Sequence, residues 1–333
     1  MISKPIKRAF VFVVVCQLAW ILLSLDSRHA RQLEEEDELR DLRDLNARST
    51  NDNLVVYNAI GKAHNLALVE HSRRTVFKPD EWDCVGFMYA KEDRIPDDDP
   101  HLRRLIDELG CVIIRAPGTM WGDFLQYITP IFVSNYEYIA LVLDDIFIPD
   151  RGPHAVDANK MLENMKKHDI HVMTPGIVGD TYNTLDYGVD RCIVELKFIE
   201  TYVQIFTRDA WECYYSMLHY TGSRGWCYDV CFKGQCPDFR LGQDFSMLAW
   251  HMDRGITELP QEEVFGTDLV DWAPEVHIED QGYFQTNGMA ICGRLGCQVS
   301  AEEMLDKISC PASEEVIGGA SILSTNSSLV QSA

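Results

Sequence analysis

Between Trp82 and Thr174, short apolar runs alternate with amphipathic stretches, and no other feature of the chain restricts its fold as strongly. Trp82 to Tyr89 is a first apolar run, followed by an acidic, proline-bounded turn from Arg94 to Pro100 and a helical pattern from Leu102 to Leu109. Cys111 to Arg115 reads as a second strand. In Trp121 to Val133, the residues Phe124, Leu125, Ile128, Ile131 and Phe132 fall on one helical face, and Pro130 is a kink or an end point. Tyr138 to Leu143 is a buried strand, and a helix from Val156 to His168 with a strand from His171 to Thr174 completes a further unit. Such alternation predicts an α/β fold with a mainly parallel sheet covered by helices on both faces. No GxGxxG follows the first strand, which argues against a dinucleotide-binding dehydrogenase.

The 333 residues, 46% of them hydrophobic and 10% aromatic, supply a sizeable core and so exclude a disordered body. A formal net charge of -22 repels phosphodiester backbones, which rules against nucleic acid as a partner. The same field means that a phosphorylated substrate has to be held by a metal ion or by a local cluster of Lys and Arg.

At the N-terminus, Lys4, Lys7 and Arg8 precede an uncharged run from Ala9 to Leu25, close to the shortest length that spans ~30 Å of hydrocarbon. The stretch from Ser24 to Ala30 contains Arg28 and makes a poor signal-peptidase site. The expected organisation is a cytosolic tail at 1–8, a transmembrane signal anchor at 9–25 and a type II orientation in the Golgi or endoplasmic reticulum membrane. A cleaved signal peptide is the competing reading, and a buried core helix is a third. Of eleven cysteines, Cys16 lies inside the apolar run, leaving an even number for a disulfide-bonded lumenal body. Cys227, Cys231 and Cys236 lack the CxxC spacing of structural zinc sites. The sequon at Asn326 is compatible with lumenal exposure. Arg31 to Arg48 mixes charge with Leu33, Leu39, Leu42 and Leu45 as a solvated helix does. The stem is expected over 26–79, the lumenal domain over 80–312 and a polar tail over 313–333.

The sharpest chemical feature is the apolar strand that begins at Tyr136 and stops at Asp144 and Asp145. Carboxyl ends of strands line the ligand crevice of an open α/β sheet, and two carboxylates there suit Mg2+ or Mn2+, which in turn binds a diphosphate. A strand running into an ordinary Asp-rich turn has the same pattern. His251 and His277 are candidates for a third metal ligand, with packing or surface roles as the alternative. Aromatic residues between Trp211 and Tyr228 suit either sugar stacking or, by default, core packing.

The helix, the Tyr136-Glu-Tyr-Ile139 strand and its acidic end resemble the metal-binding region of GT-A glycosyltransferases. The chain is more closely similar to a plant and algal domain-of-unknown-function family that sometimes carries a lysine-ketoglutarate reductase label. In that family the strand closes in Asp-Glu-Asp, and here Leu143-Asp144-Asp145 stands in that place, with Leu143 replacing the first acid. Phe198 to Glu200, Ile205 to Trp211, Gly225 to Asp229, and Gly242 to Asp244 with His251 resemble further family segments in the same order. The resemblance spans Trp82 to Leu259. It implies a GT-A-like domain that moves a sugar from a nucleotide sugar to a glycan or glycoconjugate acceptor with Mn2+ or Mg2+. Asp144, Asp145 and His251 are the implied metal ligands. An inverting transfer needs a carboxylate base, for which Asp229 and Asp244 are the candidates; each is equally at home as a helix or turn cap. The alternative function is a noncatalytic lumenal binding module that keeps the glycosyltransferase scaffold.

Overall fold

Asn53–Ile60 (β1) is the strand on which the sheet is built, and it lies upstream of the expected domain boundary. The computed structural model describes residues 42–45, 47, 49–117, 121–178, 193–196, 199–218, 228–252 and 305–309. The apolar run Ala9 to Leu25, His277 and the Asn326 sequon lie outside the described residues. The chain divides into two units, 1–48 and 49–333; the described part of the first is helical at 42–45 and 47. Among the described residues, no helix is long and apolar enough to cross a membrane.

The second unit begins at Ser49, so the stem does not extend to residue 79 as expected. Leu54, Val55, Val56 and Ile60 are all fully buried, because β1 has a strand on each side and helices above and below. Such a strand is apolar on both faces and shows no period-2 alternation, and its β-branched residues are what mark it.

The elements that follow are Leu66–Thr75 (α1), Asp83–Met88 (β2), Pro100–Asp107 (α2), Cys111–Arg115 (β3), Trp121–Leu125 (α3), Tyr138–Leu143 (β4) and Ile146–Phe147 (β5). Ala158–His168 (α4), Val172–Val178 (β6), Ile193–Leu196 (β7), Val203–Thr207 (β8) and Arg208–Ser216 (α5) come next. Tyr228–Gln235 (α6), Leu241–His251 (β9) and Leu305–Ser309 (β10) complete the set. The strand order is β10-β7-β9-β6-β8-β4-β1-β2-β3, with β5 paired to β9. In this mixed sheet, β1, β2, β3, β4, β6, β9 and β10 share one direction, and β5, β7 and β8 oppose them.

Two helical layers cover it. Val55, Tyr57, Cys84, Met88, Ala140 and Val142 share one core with residues of α1, α2 and α4. On the alternate positions, Phe87 stacks on Phe124 of α3, and Phe206 packs on Trp211 and Tyr214 of α5. Those aromatics are therefore core groups, as the default reading held. Asp99 caps α2 by accepting from the His101 and Leu102 amides, with Pro100 in the first turn. Asp157 caps α4, which ends in Lys166, Lys167 and His168 beside the negative end of its dipole.

Arg73 on α1 is buried, and it donates to the carbonyls of Phe77, Trp82 and Leu109, tying the end of α1 to the turns that precede β2 and β3. Cys84 and Cys111, directly opposed on β2 and β3, form a disulfide, and Cys213 joins Cys236. Cys231 is disulfide-bonded as well.

Three local expectations change. The helix from Trp121 stops at Leu125 and a short 3-10 turn covers Phe132–Asn135, so Pro130 lies in the break between them, where its missing amide costs no helical hydrogen bond. β6 runs on to Val178 through Pro175, where the pairing with β9 shifts register and the missing amide is tolerated. Asp244, at home as a helix or turn cap by residue type, lies within β9 instead.

Candidate functional site

The sheet order reverses at β1. After β1 the chain builds β2 and β3 on one side, then returns to place β4 on the other. The carboxyl ends of β1 and β4 therefore flank a topological switch point, the place where open α/β sheets bind ligands. Asn58 is in register with Leu143, so residues 59–65 face Asp144 and Asp145 across that gap.

The end of β1 is shaped for this position. Ala59 takes a left-handed conformation with φ of 62°, which shifts the β1–β2 register, and Ile60 then pairs with Met88. Next comes Gly61, where any Cβ would collide with the phenol of Tyr89. The Gly61 amide donates to Asp144 Oδ2 at 3.0 Å, and the Asn65 side chain also hydrogen-bonds this carboxylate. Asp144 is only 7% exposed. Burial first, and then the charge of Asp145, pushes its carboxyl up to about 7, against the lowering effect of Gly61, Asn65 and Lys62.

Asp145 has a different environment. Its Oδ2 lies 3.4 Å from His251 Nε2, and its buried Oδ1 has no hydrogen-bond partner among the described residues. The β5–β9 pairing brings the histidine here by setting Ile146 opposite His251. The Met252 amide donates to the Asp145 carbonyl at 2.8 Å and holds the two segments together. On the other side, the Tyr202 ring lies 4.5 Å from the imidazole, fixed by the Leu143 amide donating to the Tyr202 carbonyl. An unpartnered carboxylate oxygen beside an imidazole suits a hard divalent cation such as Mg2+ or Mn2+. Among the described residues, no three His, Cys, Asp or Glu groups converge on one point as a metal cage would require.

The candidate bases are elsewhere. Asp244 is 1% exposed at the β6–β9 register shift, and its carboxylate accepts from Asn164 Nδ2 at 2.7 Å and from the Ser246 amide and hydroxyl at 2.9 and 2.6 Å. Its oxygens hold the bulge. Asp229, in the first turn of α6, lines a small cavity with Tyr214, Gln204 and Phe206. Phe206 pairs with Ile139, five residues before Asp144, which puts that cavity on the order of 15 Å back along the sheet at ~3.3 Å per residue. Burial and then the Asp229 charge raise the Tyr214 hydroxyl well above its ordinary range. Gly61, Lys62, Asn65 and Tyr202 were not among the sequence candidates. A Gly-Lys pair directly after an apolar strand would have flagged the first two once β1 was read as a strand.

No family model matches the chain, and no curated protein matches it. Among solved structures it is similar to residues 1–349 of S. aureus TarS in complex with UDP-GlcNAc, with a TM-score of 0.40 and 9% identity over 76% of this chain and 69% of that one. Another S. aureus TarS structure matches 61% of this chain with a TM-score of 0.40 and 9% identity, and there the chain spans only 37% of the TarS length. Glucosyl-3-phosphoglycerate synthase from Mycobacterium tuberculosis, in complex with Mn2+, uridine diphosphate and phosphoglyceric acid, is similar with a TM-score of 0.43 and 10% identity over 78% of this chain and 84% of that one.

Proposed function

We propose that the chain is a GT-A-type glycosyltransferase that binds a nucleotide sugar in the crevice between β1 and β4 and passes the sugar to a glycan or glycoconjugate acceptor. The observation that carries this reading is the acid pair at the end of β4, set at the switch point with one buried carboxylate oxygen unpartnered among the described residues. The ordered resemblance to the glycosyltransferase-like plant and algal family supports sugar transfer over other uses of a diphosphate. Asp145 would hold Mn2+ or Mg2+, with His251 beside it; when bound, the cation supplies positive charge for the diphosphate leaving group. Lys62 adds a cation on the opposite wall. Tyr202 packs on His251 and keeps that imidazole against Asp145. The setting we propose is the lumen of the Golgi or endoplasmic reticulum, with the Ala9 to Leu25 run as a type II anchor.

The full-length chain in detergent should bind a nucleoside diphosphate in Mn2+, and Asp145→Ala should weaken that binding by at least about tenfold, the effect of losing one strong charged contact. Equal affinity with and without metal, in both proteins, would remove the metal-diphosphate mechanism. A second reading, a noncatalytic module on the same scaffold, is favoured by Leu143, whose side chain packs against the main core where the resembled family has an acid. Slow hydrolysis of any nucleotide sugar from a panel of donors would reject it.

A further inference from the structure

The two acids that end β4 have different partners. Among the described residues, the groups that engage the Asp144 carboxylate favourably, namely the Gly61 amide, the Asn65 side chain and the charge of Lys62, belong to one segment, the connection from β1 to α1. Asp145 has no hydrogen bond to that segment; its Oδ2 faces His251 and its Oδ1 is unpartnered among the described residues. Asp144, Asp145 and His251 do not converge as one ligand set.

We infer that Asp144 is a positioning residue and not a ligand donor: its carboxylate latches the β1–α1 connection onto the end of β4 and so builds one wall of the crevice, leaving Asp145 to meet the ligand. This rests on the reading of the crevice as a donor site. The connection needs such a latch. Ala59 is left-handed, which an L residue adopts only when its surroundings enforce it. Gly61 is pressed against Tyr89, and its buried amide would be an orphan donor without Asp144. A side-chain amide at position 144 would serve nearly as well. Its oxygen accepts from Gly61, and its NH2 meets Asn65, whose own Oδ1 is buried without a partner and accepts after a flip of that amide.

The test compares Asp144→Ala, Asp144→Asn and Asp145→Asn in the full-length chain. One readout is backbone amide exchange over residues 59–66 without ligand or metal; the other is Mn2+-dependent binding of uridine diphosphate. Losing a buried hydrogen bond should speed exchange in Asp144→Ala by about tenfold and weaken binding to a similar degree, and Asp144→Asn should restore both to within about threefold of wild type. Asp145→Asn should leave exchange unchanged and remove the metal-dependent part of binding. If Asp144→Ala does not fold, Asp144→Ser, whose hydroxyl is too short to reach Gly61, takes its place.

The inference is overturned if Asp144→Asn loses metal-dependent binding as fully as Asp145→Asn while its exchange stays at the wild-type rate, for then Asp144 is a ligand donor. Unchanged exchange in the alanine or serine variant also overturns it. If wild type binds no uridine diphosphate, the donor reading fails by itself and the exchange arm still decides the latch.

Discussion

Glu70 shows what a single side chain on α1 can hold together. Arg104 Nε lies 2.8 Å from its carboxylate, His101 Nδ1 2.7 Å and Arg74 Nη2 3.0 Å, so one acid joins α1 to α2. Burial on its own would raise this carboxyl, but the hydrogen bonds from Arg104, His101 and Arg74, together with the charge of Arg104, hold it at about 2. A carboxylate whose folded-state pKa lies below its unfolded value of about 4.3 stabilises the fold above that value, and the contribution fades as pH falls through the folded value. Denaturant midpoints of wild type and Glu70→Gln should therefore differ near neutral pH and converge as pH drops from about 4 to about 2. A gap that stayed constant over that range would mean that the network contributes no pH-linked stability. None of this was legible in the sequence, because Glu70 meets Arg104 and His101 across a helix–helix contact.

Among the elements, β9 has the most demanding construction. It passes a register shift opposite Pro175, where Asp244 gathers Asn164 and Ser246, and seven residues later it delivers His251 to Asp145. Alanine at position 244 strands these donors in a buried place, which should cost about 2–3 kcal/mol of unfolding free energy. Chemical denaturation would check this, and a loss below about 0.5 kcal/mol would contradict the structural role. Asp244 suits a helix or turn cap by residue type, and the parallel pairing of β9 with β6 places it inside a strand instead. β3 and β4, in contrast, have the boundaries that the apolar runs indicate, since each run is closed by charged or turn residues. The helix after Trp121 is shorter than its apolar face suggests, since the amides of Gln126, Tyr127 and Ile128 bond three residues back and periodicity does not register that change of turn.

For the whole molecule, the expected topology is testable apart from catalysis. The basic flank, the apolar run Ala9 to Leu25 and the sequon at Asn326 all agree on a body in the lumen. In sealed microsomes the body should resist added protease until detergent opens the vesicles, and alkaline washing should leave it in the membrane. Digestion without detergent would sink the lumenal assignment, whereas release by alkali would indicate a cleaved signal peptide. By itself the sequence determined the α/β class, the positions of β2, β3 and β4, and the acid pair that closes β4, because each is written in a local run of residue types. Only the tertiary structure decided that β1 is the strand at the switch point, that His251 meets Asp145 and that Asp144 turns inward to Gly61. Those outcomes depend on strand order and register between segments far apart in the chain, and a local pattern of side chains does not encode which strand becomes whose neighbour.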